Sequence, residues 1–232
     1  MMISADFILF DLDNTLYPRE TGLFSRVDRL INQYMDEVVK IPREQVNQLR
    51  QQYFAAYGTT LSGLMVHHQV DPEEYLSYVH NVPVDQLIPR DDQLAGLLER
   101  LPGEKYIFSN ASRSHCDRVL DHLGIAGYFR DIYDIVRMEY RPKPERQVYE
   151  SIVEEIGLPP HQGIMVDDLE ANLVPARELG MGTVLVTGDE QEESGLLKRP
   201  AAEVDLVVRS VHQLPAVLKR SAAPALPVSA GS

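Results

Sequence analysis

The feature that most constrains the fold is a rhythm of short, unbroken apolar runs. "FILF" at 7–10, "YIF" at 106–108, "IYDIV" at 132–136, "IMV" at 164–166, "TVLV" at 183–186 and "DLVV" at 205–208 recur along the chain. Each is too short and too continuous for a strand with one wet face. Such runs suit strands covered on both sides, as in a parallel sheet. Helical patterns separate the later runs. "SHCDRVLDHLGI" spaces Val119, Leu120 and Leu123 before Gly124. "ERQVYESIVEEIGL" spaces Val148, Ile152 and Ile156 before Gly157, and "EANLVPARELGM" spaces Leu173, Ala176 and Leu179 before Gly180. A glycine after the last apolar position is a helix-stop signal. Strand alternating with helix predicts right-handed βαβ units and a doubly wound, Rossmann-like, mostly parallel α/β sheet.

One interruption breaks the rhythm. After "FILF" the next strand candidate is "YIF", and the intervening segment reads as helices. "LFSRVDRLINQYMDEVV" carries Leu23, Val27, Leu30, Ile31, Tyr34, Met35 and Val38 on one face. "EQVNQLRQQYFAAYG" gives a second helix. Asp71-Pro72-Glu73-Glu74 is a helix start with Asp as N-cap and Pro at the first position, and "EEYLSYVH" follows. "PRDDQLAGLLERLPG" gives one more. The expected organisation is an α/β core from residues 1–18 and 89–220, an all-helical cap inserted at 19–88, and a disordered tail at 221–232, "SAAPALPVSAGS". No internal repeat is present.

Bulk properties narrow the function. Lys and Arg number 22 against 35 Asp and Glu, a net charge of −13 that repels nucleic acid and anionic membranes. A small anionic substrate stays open, because a metal or a local lysine inverts the field inside a site. The one cysteine, Cys116, rules out an intrachain disulfide and fits a reducing compartment. No secretory leader pattern and no membrane-length apolar segment is read, so a cytoplasmic protein is expected.

Ligands of open α/β sheets bind past the carboxyl ends of the strands. Asp11, Asp13 and Thr15 follow "FILF", Ser109 and Asn110 follow "YIF", Lys143 lies beyond "IYDIV", and Asp167 and Asp168 follow "IMV". Clustered carboxylates repel unless a cation joins them, and hard oxygen ligands suit Mg²⁺. Mg²⁺, a hydroxyl, backbone N–H groups and a lysine together make an electrostatic clamp for a phosphate. A carboxylate can attack phosphorus, and a second acid beside it can move the proton.

The motifs "DLDNTLYP", "SNAS", Lys143 in "RPKPERQVY" and "VDDLEANL", in this order and each behind an expected strand, resemble those of the haloacid dehalogenase superfamily. The resemblance covers about residues 7 to 187 and implies roles. Asp11 resembles the nucleophile. Asp13 resembles the general acid/base, which also offers Mg²⁺ its backbone carbonyl. Ser109 and the N–H of Asn110 resemble the phosphate holders, and Lys143 the charge that steadies nucleophile and phosphate. Asp168 aligns with the metal ligand, and Asp167 binds either directly or through water. Dehalogenases of the superfamily lack an acid two residues after the nucleophile, so Asp13 points to phosphate-ester hydrolysis. "YGTTLSGL", "FSNASRSHCDRVLDHLGI" and "NLVPARELGMGTVLV" are similar to the pyrimidine 5′-nucleotidase branch, which implies Mg²⁺-dependent hydrolysis of UMP- and CMP-like monophosphates. Ser62 departs from that branch, where a basic residue often stands. Tyr17, Tyr57, Thr59, Thr60 and Leu64 are the substrate-facing candidates. A sugar-phosphate phosphatase, a phosphomutase, a dehalogenase and a non-catalytic binding protein on the same fold are the alternatives.

Other polar clusters are read as structural. Asp91-Asp92 precedes an amphipathic helix and reads as an N-cap. His67, His68, His80, His115 and His122 form no metal-ligand spacing and are expected in structural or surface roles. Cys116 reads as a small buried residue, and "DEQEE" at 189–193 as a solvated loop. Tyr53, Phe54 and Tyr57 suit either cap packing or a base-stacking platform.

Overall fold

The computed structural model describes residues 3–188 and 204–220. The tail at 221–232 and the acidic run at 189–193 lie outside the described residues. Strands β2 (Phe7–Phe10), β3 (Glu104–Phe108), β4 (Asp131–Tyr133), β5 (Gly163–Asp167), β6 (Gly182–Val186) and β7 (Leu206–Val208) form one sheet in the order β4-β3-β2-β5-β6-β7. Every pairing in it is parallel. The four residues of β2 are fully buried, as a central strand covered by helices on both faces requires. Helices α7 (Arg113–Leu123), α8 (Arg146–Ile156) and α9 (Glu170–Glu178) make the crossovers. Gly124 and Gly157 end the first two in left-handed backbone. The doubly wound parallel sheet is thus as the apolar rhythm predicts.

Two runs end short of their expected limits. β4 stops at Tyr133, where Asp134 turns inward and its carboxylate accepts from the backbone N–H groups of Arg113, Val136 and Arg137. β7 starts after Asp205, whose Oδ2 accepts from the N–H and hydroxyl of Thr183. In both places a carboxylate pairs with orphan donors instead of extending the ladder. A separate two-stranded parallel pairing of β1 (Ile3–Ala5) with β8 (Leu218–Arg220) carries no signal in the apolar rhythm.

Between β2 and β3 lie α1 (Leu23–Glu37), α2 (Arg43–Tyr57), α3 (Thr60–His68), α4 (Pro72–Val79), α5 (Val84–Leu87) and α6 (Leu94–Arg100), most of them forming an all-helical cap. Asp71 caps α4 as expected, accepting from the N–H groups of Glu73 and Glu74. Helix α3 starts inside "YGTTLSGL", a stretch with no apolar periodicity, and runs on to His68. Thr59 starts it by accepting from Ser62 N–H at 3.1 Å. Gly63 lets α3 lie against α2, because a Cβ there would sit 2.2 Å from the Tyr53 ring. Asp91 caps the turn before α6 rather than the helix itself, accepting from Gln93 N–H at 3.0 Å. Among the described residues no helix is long and apolar enough to cross a membrane.

Candidate active site

The carboxyl edge of the sheet gathers the polar residues that follow the strands. β2 delivers Asp11, whose N–H still pairs with Val166 O at 2.9 Å. The chain then turns at Asn14, in left-handed backbone with φ 63°, a conformation Asn tolerates better than most residues. The turn places Thr15 to donate to Asp11 Oδ2 at 2.8 Å. Lys143 comes from the loop between β4 and α8, and only 2% of its surface is exposed. Its Nζ donates to Asp11 Oδ1 and to Asp167 Oδ2, both at 2.8 Å, and lies 5.1 Å from the Phe108 ring centroid. Burial lowers the affinity of the amine for its proton, but the two carboxylates outweigh this and hold it well above the usual lysine range.

Asp11 and Asp168 feel the crowding in the opposite sense. Burial raises Asp11 well above the usual carboxylate range; Lys143 opposes this, and Asp167 and Asp168 add to it. Burial raises Asp168 to about 6, and Asp167 adds to the rise while Lys143 and Arg19 oppose it. The side chains of Asp11, Asp167 and Asp168 each bring an oxygen within 4.8 Å of the others. Four carboxylates, counting Asp13, face two cations here, Lys143 and Arg19. Hard oxygen donors with this surplus of negative charge fit a divalent cation such as Mg²⁺.

The two members of the acidic pair differ. Asp167 is fully buried, and both its oxygens are taken: Oδ2 by Lys143, Oδ1 by Leu169 N–H and Asn172 Nδ2 at 2.9 Å each. Among the described residues Asp168 makes one ion pair, with the exposed Arg19 at 3.3 Å. A cation therefore finds free oxygen on Asp168 more readily than on Asp167.

Asp13 is held by another set. Tyr17 donates to its Oδ1 at 2.5 Å, and His115 Nε2 lies 2.8 Å from the same oxygen. Burial pushes this carboxyl up, yet His115 and Tyr17 outweigh it and hold it at about 2. His115 stacks on His80, centroids 4.5 Å apart and planes 23° apart. Burial and His115 hold His80 at about 3, so it is neutral, and its Nδ1 meets Ser112 Oγ at 2.9 Å. Ser109 Oγ accepts from Ala111 N–H at 3.1 Å. The Asn110 side chain bonds both to the carbonyl and to the N–H of Lys143.

A cavity of about 400 Å³ brings these groups together with the cap. Asp11, Asp13, Ser109, Asn110, Lys143 and Asp168 line its sheet side. Phe24, Phe54, Thr59, Thr60 and Arg50 line its helical side. Three of the five substrate-facing candidates lie elsewhere. Leu64 is fully buried in the cap core, Tyr17 is 2% exposed with its hydroxyl on Asp13, and the Tyr57 hydroxyl meets His67 Nε2 at 2.8 Å. Tyr53 also packs inside, whereas Phe24 and Phe54 are 41% and 56% exposed. Sequence alone gives no site role to Phe24, Arg19 or the His80–His115 stack, nor to Asn172, which lies inside "VDDLEANL". For His115 a signal existed: it shares the buried face of α7 with Val119 and Leu123 at a spacing of four. A polar residue on an apolar stripe, just after a site motif, asks for a partner.

An α/β fold with this acidic strand edge under a helical cap defines a hydrolase class. The chain belongs to the haloacid dehalogenase-like hydrolase family, whose profile matches residues 5–180. Phosphate metabolism protein 8 of Saccharomyces cerevisiae is 27% identical over 201 residues, which are 80% of this chain and 63% of the yeast protein's length. Among solved structures, the HAD-hydrolase YfnB of Bacillus subtilis bound to magnesium aligns with a TM-score of 0.61, at 17% identity, over 92% of this chain and 98% of that one. The L-2-haloacid dehalogenase of Xanthobacter autotrophicus aligns with a TM-score of 0.58, at 17% identity, over 91% and 97%. At these identities the two structures speak for the fold.

Proposed function

We propose that the protein is a Mg²⁺-dependent phosphatase that hydrolyses phosphate monoesters through an aspartyl-phosphate on Asp11, with pyrimidine nucleoside 5′-monophosphates of the UMP and CMP kind as substrates. The observation that carries the reading is Asp13: a second carboxyl, held apart from the Asp11–Lys143 cluster by its own donors, in the same cavity. Attack on carbon with loss of halide needs no such acid, whereas an alkoxide leaving group needs a proton.

Asp11 attacks phosphorus as the bond to the ester oxygen breaks, and Asp13 gives that oxygen its proton. Water then attacks the aspartyl-phosphate, with Asp13 taking the proton back. Asp13 is ionised in the free site, and a phosphate dianion bound beside it raises its affinity for the proton it delivers. Lys143 keeps an Asp11 oxygen directed and offsets phosphate charge, and Ser109 with the N–H of Asn110 holds phosphate oxygens. Asp11, the backbone carbonyl of Asp13 and Asp168 would hold Mg²⁺, with Asp167 orienting Lys143; the ion supplies positive charge against the phosphate oxygens.

Residues 19–88 we read as the cap that closes over the leaving group, on a core of 1–18 and 89–220. Exposed Phe24 and Phe54, with Thr59 and Thr60, support a flat ring with polar edges in that position. The one cysteine, buried and unpaired, supports a cytoplasmic setting. The test is a panel of nucleoside monophosphates and sugar phosphates with Mg²⁺, run on wild type and Asp11→Asn. Full activity in the variant would remove Asp11 as nucleophile. Sugar phosphates turned over far faster than UMP and CMP would remove the nucleotidase reading and leave the phosphatase one.

A further inference from the structure

We propose that His115 is a positioning residue for Asp13, braced from the cap by His80. The proposal rests on the phosphatase reading and deepens it. Asp13 receives both of its hydrogen bonds on Oδ1, from Tyr17 at 2.5 Å and His115 at 2.8 Å. No hydrogen bond from the described residues reaches Oδ2. Two donors converging on one oxygen fix the carboxyl plane and leave the other oxygen to exchange a proton with the substrate.

His115 is built to donate. It is fully buried, and its Nδ1 has no hydrogen-bond partner among the described residues. Its Nε2 faces the Asp13 carboxylate, which when ionised can only accept, so that nitrogen carries a proton and gives it to Asp13. The ring never reaches the cavity, so it acts through Asp13 and not on substrate. His80, just past the end of α4, lies flat against it. His80 is itself fixed to the core: its ring meets Ser112 Oγ, and the Arg118 guanidinium donates to its carbonyl. One contact that joins cap to core therefore also sets the orientation of the acid/base.

The experiment compares two esters with Mg²⁺: glycerol phosphate, whose alkoxide needs a proton to leave, and p-nitrophenyl phosphate, whose phenolate leaves without one. His115→Leu is expected to lower kcat for glycerol phosphate about 10- to 100-fold with KM nearly unchanged, and to lower kcat for the aryl ester far less. His115→Gln, which keeps an N–H at the reach of Nε2, should recover most of the loss. Should His115→Leu fail to fold, Tyr17→Phe removes the second donor and must show the same split between the esters. Equal losses on both esters, no loss, or a Gln variant no better than Leu would overturn the proposal. If wild type hydrolyses neither ester nor any nucleotide of the panel, the phosphatase reading falls and takes this one with it.

Discussion

Asn110 grips Lys143 by its backbone. Its Oδ1 accepts from Lys143 N–H at 2.8 Å and its Nδ2 donates to Lys143 O at 3.1 Å, across 33 residues of chain. The amide thereby fixes the start of the side chain whose far end bridges Asp11 and Asp167. Asn110→Ala removes both bonds, and the expected cost is about 1 to 3 kcal/mol of stability. Activity should fall by more than that loss explains, about 10- to 100-fold in kcat/KM, because the ammonium is no longer aimed. Denaturant melts and steady-state rates on one preparation check both. Wild-type rates in the variant would mean that Lys143 aims itself.

Lys143→Met tests the opposite end of the same side chain. It leaves Asp11 and Asp167 buried without their cation, and removing one partner of a buried pair costs about 3 to 5 kcal/mol. The wild-type lysine has its proton affinity raised by the fold, so its contribution is complete below the ordinary lysine range and is lost only as pH rises beyond it. Between pH 5 and 8 the carboxylates set how the gap between variant and wild type changes. The stability gap between variant and wild type should narrow as pH falls, when Asp11 takes up a proton, as its raised affinity favours. A gap constant across that range in thermal melts would contradict the assignment.

Asp168→Asn is expected to stabilise the metal-free protein at pH 7.5. The carboxyl is raised from the usual value to about 6, so the fold prefers its protonated form. Stability linked to that proton is present at low pH and is lost as pH rises to about 6 and beyond. Asn escapes the loss, giving about 1 to 3 kcal/mol at pH 7.5 and almost none near pH 4. The same variant should lose the rise in melting temperature that Mg²⁺ gives wild type, and a retained Mg²⁺ shift would move the metal site elsewhere.

Phe54→Ala should raise KM for UMP about 5- to 20-fold and leave glycerol phosphate unaffected. The ring is 56% exposed and lines the cavity, so its loss should change stability by less than about 0.5 kcal/mol. Equal KM changes on both substrates would make the ring a general wall and not a seat for a base.

Residues read from local pattern survive into the structure, and those that depend on a distant partner do not announce themselves. β2, α4 with its Asp71 cap, and the edge positions of Asp11, Ser109 and Asp168 follow from periodicity and strand-end rules that act within a few residues. The Asn110 amide, His115 and Asn172 lie within motif stretches, but nothing in the sequence says what their side chains hold. Their partners Lys143, Asp13 and Asp167 are fixed only by the packed sheet. Leu64, Tyr17 and Tyr57 show the converse: proximity to a motif in the chain does not say which way a side chain turns. Helix α3 carries no periodic signal because Thr60 to His68 buries residues on both sides, against Tyr53 and against the cavity wall, and so shows no single apolar stripe.

The pairing of Ile3 with Leu218 and of Ser4 with Lys219 has a bearing on assembly. The backbone that leads into β2 and on to Asp11 is clasped by backbone more than 200 residues further along the chain. Without β8 the segment entering β2 has one fewer neighbour to hold it, and β3 and β5, which flank β2 on either side, are also far from it in sequence. The acidic edge therefore cannot form piecemeal from local contacts; it exists only where distant segments have packed together, and its geometry should be gained and lost with the sheet as a unit.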